Sequence, residues 1–174
     1  MDTVQQELFG GAITLNLPRK FENISHVREV PDHQEVFVNV EEDQSVIVEI
    51  LELATQANDE GCAAAEAKIY LLLGQQRIAK FNERQRQVED AAAHPNQQPH
   101  ADARNLVQIM MVVVRLPRQE TDVVISYNVP LQISESSSSK QVAHEGNIQE
   151  AEVWFRNMIG SFLVRDWSLF GPGH

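Results

Sequence analysis

Leu106-Val107-Gln108-Ile109-Met110-Met111-Val112-Val113-Val114-Arg115-Leu116, a turn over residues 117–121, and then Asp122-Val123-Val124-Ile125-Ser126-Tyr127-Asn128-Val129 form the stretch whose reading decides the fold. The first run is long and apolar, and the second is rich in Val, Ile and Tyr, side chains that suit a pleated surface. A five-residue link is too short for the crossover that parallel strands need, so the two runs are antiparallel neighbours, expected at the centre of a sheet.

On the C-terminal side, residues 134–146, with Ser136-Ser137-Ser138-Ser139, lack periodicity and are expected to form a mobile loop. Ala151, Trp154, Phe155, Met158, Ile159 and Phe162 then mark one face of a helix that must cover the sheet. Asp166-Trp167-Ser168-Leu169-Phe170-Gly171 is an aromatic-rich end that has to dock.

On the N-terminal side, residues 12–17 alternate, with Ile13, Leu15 and Leu17 on one face; this predicts a half-buried strand stopped by Pro18 and entered through a flexible Gly10-Gly11. A short turn or helix follows at about 23–28, Val30-Pro31-Asp32 breaks the chain, and Val36, Phe37 and Val38 suggest another strand. Asp43 is read as the N-cap of a helix over residues 45–56, with Ile47, Ile50, Leu51 and Ala54 on one side and Ser45, Glu49, Glu52 and Gln56 on the other. Residues 57–104 are ambiguous. Residues 63–73 followed by Gly74 read as a helix with a glycine stop, or 69–73 and 76–81 as two strands joined by a tight turn at Gly74-Gln75. Residues 91–102 read as a polar, proline-punctuated loop. Strands and helices interleave without a regular strand-helix-strand alternation, so the expected class is α+β.

The chain has 174 residues, 43% of them hydrophobic, enough for one domain with a real core and too few for two of ordinary size. Its formal charge of −11 lies wholly in the first third. Residues 1–66 hold fourteen acids and three bases, whereas residues 67–174 hold eleven of each. That asymmetry predicts a basic partner and argues against nucleic acid, which needs clustered Lys and Arg. No run of about 18 apolar residues exists to insert into a membrane. The acidic start lacks the pattern of a signal or transit peptide, and the lone Cys62 agrees with a reducing compartment, so nucleus and cytoplasm are the expected locations.

No two of the six His residues stand at the three- or four-residue spacing that puts two imidazoles on one helix face, and no thiolate cluster, phosphate-cradling loop or nucleophile turn is present; no metal and no cofactor are expected. Asp32-His33-Gln34-Glu35 carries acid/base chemistry in principle, since a carboxylate beside an imidazole orients it and raises its pKa. With no nucleophile nearby, a turn with an exposed His33 is the stronger reading, and no catalytic residue is assigned.

With these residues in view, the chain resembles the Ran guanine-nucleotide release factor family, the Mog-type proteins that bind the small GTPase Ran. The resemblance rests on Leu8-Phe9-Gly10-Gly11-Ala12-Ile13-Thr14, Arg28-Glu29-Val30-Pro31-Asp32-His33-Gln34-Glu35-Val36-Phe37, Asp43-Gln44-Ser45-Val46-Ile47-Val48-Glu49-Ile50-Leu51-Glu52, Val114-Arg115-Leu116 with Thr121-Asp122-Val123-Val124-Ile125, and Asp166-Trp167-Ser168-Leu169-Phe170-Gly171. These strings run in family order over roughly residues 7–56 and 105–171. The resemblance implies a single Mog-type domain over 1–174: a mainly antiparallel sheet flanked by helices on both faces, a fold shared with the extrinsic P subunit of the photosystem's oxygen-evolving complex. It implies a monomer that binds Ran through the acidic N-terminal third and promotes release of its guanine nucleotide in nuclear import, by binding and without covalent chemistry. A passive Ran or trafficking adaptor without release activity is the alternative. By matching motif, the partner-binding residues are Asp32, Glu35, Glu49 and Glu52, with Arg28 beside them. The family also has a further strand and a helical stretch in the middle, where this chain offers only residues 57–68. Residues 57–104 therefore match poorly and are expected to be partly disordered, and the shortening is expected to leave a sheet edge and apolar surface open.

Overall fold

In the computed structural model, which describes residues 2–24, 29–54, 67–79, 104–141 and 143–171, the expected hairpin forms in the interior of a sheet, its second strand at the centre and its first next to the outermost strand. Strands β1 (Thr3–Leu8), β2 (Ile13–Pro18), β3 (Glu22–Asn23), β4 (Gln34–Asn39), β5 (Gln44–Glu52), β6 (Lys68–Ile78), β7 (Asn105–Leu116), β8 (Thr121–Gln132) and β9 (Leu163–Val164) form two sheets. The larger has the order β3-β4-β5-β8-β7-β6 and the smaller β1-β2-β9, with every pairing antiparallel. Pro117–Gln119 closes the β7–β8 hairpin as a 3-10 turn, and Glu120 completes it in the left-handed region at φ 49°.

Helix α1 (Ile148–Gly160) lies where the periodicity put it. The Asn147 side chain caps it, accepting from the Gln149 and Glu150 N–H groups at 2.9 and 3.1 Å, an arrangement that stabilises a helix by about 1 kcal/mol. Its buried Ala151, Phe155 and Met158 pack with β2, β7 and β8. The core lies between the inner face of the large sheet (Phe37, Val46, Val48, Met110, Val112, Val123, Ile125, Tyr127) and Ile13, Leu15 and Leu17 of β2 with α1. The architecture is thus mostly antiparallel sheet with one α-helix among the described residues, on the inner face. The helix expected on the other face is not among those residues.

Residues 45–56 do not form the expected helix. Residues 44–52 are β5, paired in register with both β4 (Val46 opposite Phe37) and β8 (Val48 opposite Ile125). The apolar set Ile47, Ile50 and Leu51 fits a helical stripe, but Val46, Val48 and Ile50 fit strand alternation equally well, and two partner strands decide between them. Asp43 caps nothing helical: it sits at φ 50° in the β4–β5 turn. Its carboxylate accepts the Ser139 hydroxyl at 2.6 Å. That bond also corrects the expectation of a loose serine loop, because Ser137 and Ser139 are buried and Ser138–Gln141 is a 3-10 turn. Gly146 then passes so near the sheet that a Cβ there would lie 2.4 Å from the Val129 methyl. Neither reading of residues 69–78 holds either, since β6 runs straight through Gly74, which faces Ile109. The N-terminal β1, which composition did not suggest, pairs with β2 along its whole length. The expected 91–102 loop lies outside the described residues.

Candidate functional site

One end of the large sheet gathers the start of β4, the end of β5 and the β7–β8 turn. The approach to β4 is fixed by two main-chain bonds: Gln34 N–H donates to the Pro31 carbonyl and Ile50 N–H to the His33 carbonyl, both at 2.9 Å. Asp32 and His33 are thereby held exposed in the turn before β4. The end of β5 is tied to the hairpin turn by Leu53 N–H donating to the Glu120 carbonyl at 2.9 Å.

A buried ion pair stiffens this end. The Arg115 guanidinium donates through Nε and Nη2 to the two Asp122 oxygens, each at 2.9 Å, with both residues about 5–6% exposed. Asp122 also accepts Ala54 N–H at 3.3 Å, and Arg115 donates to the Ala54 carbonyl at 3.4 Å, so the pair clamps the chain just beyond Glu52. Bidentate geometry of this kind sets direction as well as strength.

The expected binding residues are placed unequally. Asp32 and Glu52 are exposed, and neither makes an ion pair among the described residues. Glu49 is half-buried and accepts from the Gln34 side chain across the β4–β5 ladder. Because β5 is a strand, Glu49 and Glu52, three residues apart, project from opposite faces and share no stripe; what they share is the end of the sheet. Glu35 turns inward, accepting Phe9 N–H at 2.9 Å and the Asn23 side-chain amide at 3.1 Å. It secures a turn, Phe9–Gly11, whose three residues all have positive φ (50°, 69° and 90°), so Gly10-Gly11 is a held bend and not a flexible entry. Asp32, His33 and Glu35 share no hydrogen bond, so the string does not converge as an acid/base group. Arg28 lies outside the described residues.

Two features of this end were not legible in advance. Glu120, exposed and left-handed, adds a carboxylate beside Glu52; its place in a hairpin turn was the only signal. The C-terminal segment also docks here: Arg165 and Asp166 N–H groups both donate to the Ala12 carbonyl, at 2.7 and 3.1 Å. Hydrogen bonds from the Ser168 hydroxyl and N–H hold the Asp166 carboxyl below its ordinary value near 3.8.

Comparison with known proteins connects this chain to a family. The family model described as "Ran-interacting Mog1 protein" matches residues 6–68 and 62–130. Nuclear import protein Mog1 of Saccharomyces cerevisiae is 31% identical, over 98% of this chain and 86% of its own. The Ran guanine nucleotide release factor of Danio rerio is 29% identical over 206 aligned positions, covering 97% of this chain and 100% of its own. Since this chain has 174 residues, at least 32 of those 206 positions fall opposite gaps. The crystal structure of the Saccharomyces cerevisiae Ran-binding protein Mog1p superposes with a TM-score of 0.60 at 28% identity, covering 98% of this chain and all of the other. A profile match over most of the length, a relative above 30% identity across nearly all of it, and a common fold agree: this chain belongs to the Ran-interacting Mog1 protein family.

Proposed function

We propose that this chain binds Ran through the acidic end of its large sheet and promotes release of the bound guanine nucleotide, serving nuclear protein import in nucleus and cytoplasm. The observation that carries the reading is that Asp32, Glu52 and Glu120 stand exposed, with no ion pair among the described residues, at one end of the large sheet in a member of this family, with Glu49 at the same end. Carboxylates held this way compete with nucleotide phosphates for cationic groups on the GTPase, so the complex favours Ran with an open nucleotide site. The mechanism is binding alone, with no covalent step. By linkage, whatever factor this chain takes from nucleotide affinity, nucleotide takes from the affinity of Ran for this chain. Contacts of this charge type also speed encounter and weaken as salt rises.

Within this reading Glu35 is a positioning residue. Its carboxylate fixes Phe9–Gly11, and through that turn the docking site of the C-terminal segment, instead of reaching the partner.

The test is release of a fluorescent nucleotide from purified Ran. Wild-type chain accelerates it, and Glu49→Lys with Glu52→Lys lowers the acceleration by about 100-fold, chiefly by slowing association. Release by the double variant at the wild-type rate rejects the acidic end as the contact. Wild-type binding without any acceleration leaves a passive adaptor.

A further inference from the structure

Trp167 is 50% exposed, although large aromatic side chains are ordinarily mostly buried. It is also rigidly mounted. The 3-10 turn Trp167–Phe170 is capped by Asp166, whose Oδ1 accepts Ser168 N–H at 2.9 Å. The Phe170 ring is tilted against the indole at 5.8 Å between ring centroids, and Phe170 and Leu169 pack against the core. The turn is pinned to Ala12 by the Arg165 and Asp166 N–H groups; Ala12 closes back on Phe9 (N–H to carbonyl, 3.4 Å), and Phe9 is held by Glu35. A short chain of bonds therefore fixes the turn that carries Trp167 next to the one that Glu35 secures, and Glu35 is three residues from Asp32.

We propose that Trp167 is the apolar anchor of the Ran-binding surface, stacking on an Arg or Lys side chain of the GTPase. This rests on the reading of the acidic end given above. Charge alone gives speed and orientation but little net affinity once both partners are desolvated, and tight interfaces add a buried aromatic at their centre. An indole has only two side-chain torsions to fix, so ordering it costs little. Its face attracts a cation, which makes the indole itself complementary to a basic surface. Burying the exposed half of a side chain of this size corresponds to roughly 30-fold in affinity.

Two measurements test it. In the first, wild-type chain is oxidised by hydroxyl radicals alone and in complex with nucleotide-free Ran; the peptide carrying Trp167 is protected in the complex, and unchanged oxidation overturns the assignment. In the second, affinity for Ran is measured at several salt concentrations. Trp167→Ala weakens binding by about 30-fold at every salt concentration, Trp167→Phe recovers most of the loss, and Glu52→Lys instead flattens the salt dependence. If wild type binds and Trp167→Ala binds equally well, the anchor is refuted while the acidic reading stands; if wild type does not bind Ran at all, both fall.

Discussion

Strands β8 and β6 belong to one sheet, are nearly equal in length and are comparably apolar, yet they live in opposite environments. Nine of the twelve residues of β8 are buried, whereas ten of the eleven in β6 are exposed. Ile69, Leu71 and Leu73, alternate residues on one face of β6, are 67%, 60% and 57% exposed. The difference is position: β8 lies between β5 and β7 and beneath α1, while β6 is outermost, with no described strand on its far side. Strand formation is a local and pairwise property, but burial depends on what the rest of the chain brings to cover the strand.

The contrast can be broken most forcefully at the Arg115–Asp122 pair, which closes the buried β7–β8 hairpin. Arg115→Met leaves Asp122 buried without its counter-charge and is expected to lower unfolding free energy by about 3–5 kcal/mol in urea denaturation. A loss under 1 kcal/mol means that the pair is wetter than its burial indicates. Replacing both partners with apolar residues of similar volume is expected to restore much of the loss, at the expense of the hold on Ala54.

A smaller, more discriminating effect comes from equal truncations in the two strands. Ile125→Ala in β8 is expected to cost about 2–5 kcal/mol, and Leu71→Ala in β6 only within about 0.5 kcal/mol, measured in parallel in the same denaturant. Equal losses show that β6 is covered in solution and end the comparison.

The smallest effect is a titration. Burial, reinforced by the negative charges of Glu42 and Glu150, pushes the Tyr127 phenol far above its ordinary value of 10, and its hydroxyl donates to Gln44 Oε1 at 2.7 Å. In Tyr70→Phe, which leaves Tyr127 as the sole tyrosine, phenolate absorbance appears only well above pH 10. A folded pKa raised above the unfolded one means that this contribution is full below pH 10 and is lost as pH rises further, so alkaline unfolding and tyrosine ionisation coincide. A phenol that titrates at pH 10 in the native protein refutes the burial of β8 at this point.

Residues 105–132 were legible because a long apolar run, a proline turn and a second β-branched run leave one arrangement open. Residues 148–160 were legible because their apolar spacing matches a helix and little else. Residues 44–52 were not, because nearly continuous apolar character satisfies both periods and the deciding hydrogen bonds come from β4 and β8. The candidate site shares that fate. The resemblance brought Asp32, Glu35, Glu49 and Glu52 forward together, but in the fold Glu35 serves Phe9 and Asn23, and Glu49 and Glu52 point to opposite faces.

By itself the sequence determined the class, the central hairpin, the covering helix, the acidic third and the family, since each follows from composition, local periodicity or a string of neighbouring residues. Only the tertiary structure decided that 44–52 is a strand, that β6 lies open at the rim, and which carboxylates reach solvent. Those outcomes depend on pairings between residues far apart in the chain: a side chain's own chemistry sets what it can bind, and the elements packed around it set what remains within its reach.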